Sequence, residues 1–271
     1  MWPEIKQRIN NGGLATYLAG FCIIFAEYIT PTGRIALPLD ETRNCMNKLP
    51  EVTKNLLAIN VLMFLASIVM KRYGVDLTDI LGLHFFKADG FAPYQFITYM
   101  FMHSGLTHIF FNMFALYMFG ALLERLWGSK RFLIYYLVAG VGAGLLQELV
   151  QYVGFVQEGL MAYDSVRTSS GVIPMGKFLD MWTTVGASGA IYAILLAFGM
   201  SFPNDKMFVF PLPFPIKAKF FVIGYAVIEL LLGMSNAQDG IAHFAHLGGM
   251  VFGLVMILYW RKKRKIGGPY V

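Results

Sequence analysis

VGASGAIYAILLAFGMSF, Val185 to Phe202, is a run with no Asp, Glu, Lys or Arg. A helix crosses a bilayer with roughly 17–25 mostly apolar residues, so this run is expected to be a membrane span. Near its start it carries Ser188, boxed among glycines and alanines. A serine in lipid usually bonds its own backbone or lets two helices approach. The rest of the chain decides whether this one does chemistry.

The composition around it is that of a membrane protein. Of 271 residues, 57% are hydrophobic and 14% charged, against about 25% charged in soluble domains. So few charges cannot coat a soluble globule, and lipid must solvate much of the surface. A membrane barrel would show short alternating strands, which these runs do not. The expected class is an all-α polytopic membrane protein. The net charge of +6 sits between the apolar runs and in the tail RKKRK, Arg261–Lys265. That is the pattern of topogenic charge, so no nucleic-acid partner is expected. Cys22 and Cys45 form neither a disulfide framework nor a metal spacing, and no cofactor or metal is expected. No cleavable signal peptide is expected either, since the first apolar run, near Leu14, lacks a small-residue cleavage site.

Five further runs are long and apolar. They are NLLAINVLMFLASIVM (Asn55–Met70), the uncharged stretch Phe96–Leu123, FLIYYLVAGVGAGLL (Phe132–Leu146), FFVIGYAVIELLLGM (Phe220–Met234) and GIAHFAHLGGMVFGLVMILYW (Gly240–Trp260). LATYLAGFCIIFAEYI (Leu14–Ile29) is shorter and contains Glu27; it reads as an extra span or an interfacial helix. The longest connector, about Gln151 to Trp182, reads as a loop. The chain divides into an N-terminal extension, 1–54, a six-helix core, 55–260, and a basic tail, 261–271. The positive-inside rule puts that tail in the cytoplasm, with Arg34, Arg43, Lys48, Lys54, Arg125, Lys130, Arg131, Lys206, Lys217 and Lys219 on the same side. Lys71, Arg72 and Lys87 dissent from the outer side.

This topology brings distant polar residues to one depth below the outer surface: Ser188 at the start of the fourth span, His246 near the start of the sixth, His108 and Asn112 in the outer half of the second. Polar groups inside a membrane are functional candidates by default. The bland readings are packing for Ser188, an interfacial role for His246 and interhelical bonding for His108 and Asn112, which share a helix face. The spacing favours chemistry. Gly186 and Gly189 strip bulk from around Ser188. Gly249 and Gly253 form a GxxxG pair, which lets helix backbones approach closely, on the helix of His246. Together they can bring hydroxyl and imidazole within hydrogen-bond reach, the requirement for an activated nucleophile. Tyr192 lies four residues after Ser188, on the same face. His243 is the rival base. No Asp or Glu is equally placed to orient the histidine, Asp239 being in the outer loop. The expectation is therefore a Ser–His dyad with Tyr192 packed on the imidazole. Glu148 and Glu229 are expected to snorkel to water. Glu124, Arg125, Lys130 and Arg131 are expected to cap the inner end of the second span. His103 and Ser104 are expected at the entrance, with Phe244 and Met250 crowding the pocket.

At this point the sequence resembles the rhomboid intramembrane serine proteases. The resemblance rests on four ordered motifs: YQFITYMFMHSGLTHIFFNMF (Tyr94–Phe114), LLERLWGSKRFLIYY (Leu122–Tyr136), GASG (Gly186–Gly189) and AHLGGMVFG (Ala245–Gly253). It implies a six-transmembrane-helix bundle. It implies Ser188 as nucleophile, His246 as base, His108 and Asn112 on the oxyanion side, and Tyr192 behind the histidine. The family's aromatic-Arg pair in the first outer loop is not matched; Tyr94 and Gln95 stand there. The implied activity is endoproteolysis of transmembrane protein substrates near the outer face of the plasma membrane. The alternatives are a catalytically inactive rhomboid-like binder of membrane helices, or a transporter, which would want midplane charges or broken-helix repeats.

Overall fold

A computed structural model of the chain describes residues 49–168, 171–207, 214–235 and 242–263. The segment Leu14–Ile29, both cysteines, Asp239 and the end of the basic tail lie outside the described residues. Six helices carry the fold: α1 Glu51–Arg72, α2 Leu106–Trp127, α3 Ser129–Gln157, α4 Ser188–Ser201, α5 Ala218–Met234 and α6 His243–Lys262. Each apolar run overlaps one of them. Four, α1, α2, α3 and α6, are long and apolar enough to cross a membrane. Large apolar side chains stand exposed along the bundle, among them Leu62 (64%) on α1, Leu231 (61%) on α5 and Val255 (62%) on α6. A surface of that kind is stable against lipid rather than water.

α4 runs through the middle, packed on α6, α3, α5 and α2. It is shorter than its apolar run. Val185 to Ala187 stay out of the helix because Gly186 takes φ +128°, and the helix opens at Ser188. At 1.5 Å per residue its 14 residues span about 21 Å, less than the ~30 Å of a hydrocarbon core.

Two carboxylates hold the ends of the bundle, and neither reaches for water. Glu124 on α2 accepts from the Val52 and Thr53 N–H groups (3.0 and 2.7 Å), the Thr53 hydroxyl (2.8 Å) and the Ser129 hydroxyl (2.6 Å). It thereby satisfies donors that the first turn of α1 leaves open, and ties α1 to the α2–α3 turn. Glu148, expected to snorkel, is buried instead and accepts from the Phe86 N–H at 2.8 Å. It fastens the segment after α1 to α3.

The long connector is also more ordered than a loop. α3 continues to Gln157, and a hairpin follows, β2 Ser165–Thr168 on β3 Gly171–Pro174, then a one-turn helix, Met175–Leu179. Phe155, Met175 and Leu179 bury against Phe85 and Ala88, with Trp182 alongside. β1, Leu83–His84, pairs with β4, Thr183–Thr184, just before α4. Gln95 is fully buried: it accepts from the Ala92 N–H (3.1 Å) and donates to the Gly90 carbonyl (2.9 Å). At the other end of the bundle, β5 Lys206–Met207 pairs with β6 Ile216–Lys217.

Candidate active site

The site is set by how α4 begins. β4 leads into Gly186, whose N–H donates to the Tyr99 carbonyl at 2.9 Å. Only glycine suits this place: φ is in the left-handed region, and a Cβ would lie 2.8 Å from the His108 imidazole. Ser188 is the first helical residue, so its N–H has no partner within the helix.

α6 reaches it through contact between backbones. A Cβ on Gly249 would land on the Gly189 carbonyl oxygen, and one on Gly253 would strike the Tyr135 hydroxyl and Ala193. With glycine at both positions the helices close, and Ser188 Oγ comes to 2.8 Å from His246 Nε2. Tyr192, one turn into α4, stacks on the His246 ring at 4.2 Å between centroids and 6° between planes.

Glu229 overturns the expectation that no acid stands near the histidine. It is buried, 5% exposed, on α5. Its Oε1 accepts from the Tyr192 hydroxyl. Its Oε2 lies 2.7 Å from His243 Nδ1 and 3.0 Å from His246 Nδ1. The second approach lacks the alignment of a hydrogen bond and is a close electrostatic contact. A buried carboxylate with these partners has no need of water, so it does not snorkel. Its place near the end of α5, level with the start of α6, was the available signal in the sequence. His243 pairs with this carboxylate, and it is His246 that meets Ser188.

His108 lies against Gly186, next to Ser188, and Asn112 is one turn further along α2. Ser104 Oγ is 3.0 Å from His108 Nδ1, so Nε2 is turned toward Gly186. Asn112 is buried, and its Nδ2 has no partner among the described residues. His103 is buried with its ring edge-on to His108 at 5.1 Å, while Ser104 is exposed. Phe244 packs on α5, where a Cβ on Gly233 would meet it at 3.0 Å. Met250 is buried on α6.

Glu229, His243 and His246 are also the described acid and histidine groups that could hold a metal, with ligand atoms within 4.8 Å of one another. Ligands at ~2.0–2.1 Å from a tetrahedral zinc are about 3.3 Å apart. Both nitrogens stand closer to Oε2 than that, at contact rather than bridging distance.

Comparison with known proteins points one way. The rhomboid domain family matches residues 91–263. Rhomboid protease AarA of Providencia stuartii is 29% identical over 164 residues, 59% of this chain and 53% of that protein. Rhomboid protease GlpG of Haemophilus influenzae is 24% identical over 227 residues, 82% of this chain and 97% of that protein. The mitochondrial presenilin-associated rhomboid-like protein of Homo sapiens is 28% identical over 163 residues, 59% of this chain and 36% of that protein. The chain spans about half the length of the Providencia relative and about a third of the human one.

Proposed function

The chain belongs to the rhomboid family of integral membrane proteins, and we propose that it is an intramembrane serine endopeptidase acting on transmembrane protein substrates. The observation that carries this reading is the 2.8 Å approach of Ser188 Oγ to His246 Nε2. His246 takes the hydroxyl proton as Oγ attacks the scissile carbonyl. The C–N bond breaks, the leaving amine receives that proton, and the substrate's acyl group remains as an ester on Ser188. Water then attacks the ester, again through His246, and frees the serine. Each tetrahedral oxyanion needs donors already aimed at it. Asn112 Nδ2, His108 Nε2–H and the Ser188 N–H are the donors. Ser104 donates to His108 Nδ1 and so keeps the His108 proton on Nε2.

The reading includes six spans with a cytoplasmic C-terminus in the plasma membrane, and a site open to the extracytoplasmic side. The core corresponds to 55–260, between an N-terminal extension and a basic tail. An intact substrate helix keeps its carbonyls in i→i−4 bonds. The segment presented to Ser188 is therefore one that unwinds near the outer face, where Gly, Ala or Pro lowers the cost of fraying.

The test is labelling of detergent-solubilised protein with a fluorophosphonate, together with cleavage of a model transmembrane substrate. Labelling and cleavage that both require Ser188 and His246 are expected. Absence of both, with substrate still bound, would make the chain an inactive binder of membrane helices.

A further inference from the structure

The mechanism above leaves unused the buried carboxylate that stands beside the reacting pair, Glu229. Glu229 sits in an apolar helix, where a carboxylate is costly unless it is paired. α5 buries little else: Ala218 and Val222 are its other buried residues. A structural pair with His243 alone would satisfy one oxygen. Instead both oxygens are engaged: Oε1 accepts from the Tyr192 hydroxyl, and Oε2 meets His243 Nδ1 in a hydrogen bond and His246 Nδ1 in a close electrostatic contact. Two of these three neighbours belong to the reacting pair or its support: His246 meets Ser188, and Tyr192 stacks on His246.

The chemistry follows from which nitrogen faces which group. Nε2 must be bare to accept the Ser188 proton, so Nδ1 must carry the ring proton. A carboxylate oxygen 3.0 Å from Nδ1 favours that tautomer, because a bare Nδ1 would set a lone pair against a negative oxygen. When Ser188 gives up its proton, the ring becomes a cation beside the same oxygen. Ring orientation is held separately, by the Tyr192 stack. Resting on the serine-protease reading, we propose that Glu229 is a positioning residue that holds His246 in its Nδ1–H tautomer. The Ser188–His246 pair then works as a triad, with His243 and Tyr192 bracing the carboxylate.

The experiment compares full-length wild type with Glu229→Gln, Glu229→Asp and Glu229→Leu in detergent or bicelles. In serine proteases, loss of the orienting carboxylate lowers kcat about 10⁴-fold through the wrong tautomer. The Tyr192 stack is retained here, so a kcat loss on the order of 10² is expected for Glu229→Gln, with KM and thermal unfolding little changed. Glu229→Asp should keep more activity than Glu229→Gln. Glu229→Leu should stay folded and be at least as impaired as Glu229→Gln. ¹⁵N spectra of histidine-labelled protein, with His246 assigned against His246→Phe, should show the Nδ1–H form in wild type and a mixture in Glu229→Gln. Wild-type kcat and an unchanged tautomer in Glu229→Gln would overturn the inference while leaving the dyad standing. A wild type that neither labels nor cleaves would overturn the protease reading itself.

Discussion

The seam between α4 and α6 and the contact of α5 with that seam are built on different principles. The seam is a matter of shape: Gly189 and Gly249 meet backbone to backbone, and Gly253 admits Tyr135 and Ala193. The Ser188–His246 approach follows from the closure. α5 is largely exposed, with Ile223 and Leu231 about 60% accessible, and what it brings to the site is one charge. Removing bulk lets two helices converge and brings the reacting groups together, while a hydrogen bond from Arg261 to the Met200 carbonyl (2.9 Å) joins the same two helices nearer their C-termini. A charge brought from a helix that is packed less closely acts on the ring those helices have already placed.

The reacting pair should give the largest effect. Ser188→Ala and His246→Ala are each expected to lower turnover by on the order of 10⁶, the loss seen when either member of a coupled nucleophile–base pair goes. Thermal unfolding of Ser188→Ala should stay near that of wild type, whereas His246→Ala also removes the buried ring stacked on Tyr192 and should lose some stability. Cleavage retained in Ser188→Ala would remove chemistry from the seam altogether. A dead His243→Ala beside an active His246→Ala would move the base to the residue that pairs with Glu229.

Asn112 probes the site from outside both regions. One oxyanion donor contributes roughly 2.7–4 kcal/mol, or about 10²–10³ in kcat. Asn112→Ala should fall toward the lower end, since His108 and the Ser188 N–H remain. Turnover and substrate binding measured on the same variant separate the cases. A loss confined to binding would reassign the orphaned Nδ2 to gating or packing.

How far the sequence could be read follows the same division. GASG and HLGGMVFG were legible because packing without side chains demands small residues at fixed spacing, and spacing survives in a string of letters. The six apolar runs each overlap a helix for a similar reason, since lipid imposes composition over a whole segment. Where α4 begins was not legible: hydropathy is blind to the φ of Gly186, which starts the helix at Ser188 rather than Val185. The connector after α3 hid a hairpin whose strands are only four residues each, too short for alternation to stand out. Glu229 was assigned to water because its partners Tyr192 and His243 lie 37 and 14 positions away. A lone carboxylate near a helix end carries no local pattern to connect it with them.

The seam itself can be opened without touching the reacting groups. Gly249→Ala adds one carbon where the Gly189 carbonyl oxygen already stands, so the helices must separate. Overpacking of this kind costs about 1–3 kcal/mol. Denaturation in bicelles should register that loss, and fluorophosphonate labelling should fall with it as Oγ and Nε2 part. Gly224→Ala on α5, where a Cβ would meet nothing within 4 Å, is the control: it should leave labelling unchanged and hold or slightly raise stability. A stable, fully labelled Gly249→Ala would show that the 2.8 Å approach does not depend on backbone contact.

The smallest effect is expected where the two regions join. Tyr192→Phe keeps the ring that stacks on His246 and removes only the hydroxyl that reaches Glu229. One net hydrogen bond is worth about 1 kcal/mol, a few-fold in rate, and the carboxylate retains His243 and His246 as neighbours. Tyr192→Leu loses ring and hydroxyl together, so its kcat should fall further than that of Tyr192→Phe. If the two variants are equally impaired, the hydroxyl carries the whole effect, and Glu229 rather than the stack fixes the orientation of the imidazole. If Tyr192→Phe matches wild type while Tyr192→Leu is slow, shape alone supports the ring, and the bracing of Glu229 through Tyr192 is dispensable. Only the intermediate order, Phe above Leu and both below wild type, fits a histidine held by packing from α4 and by charge from α5.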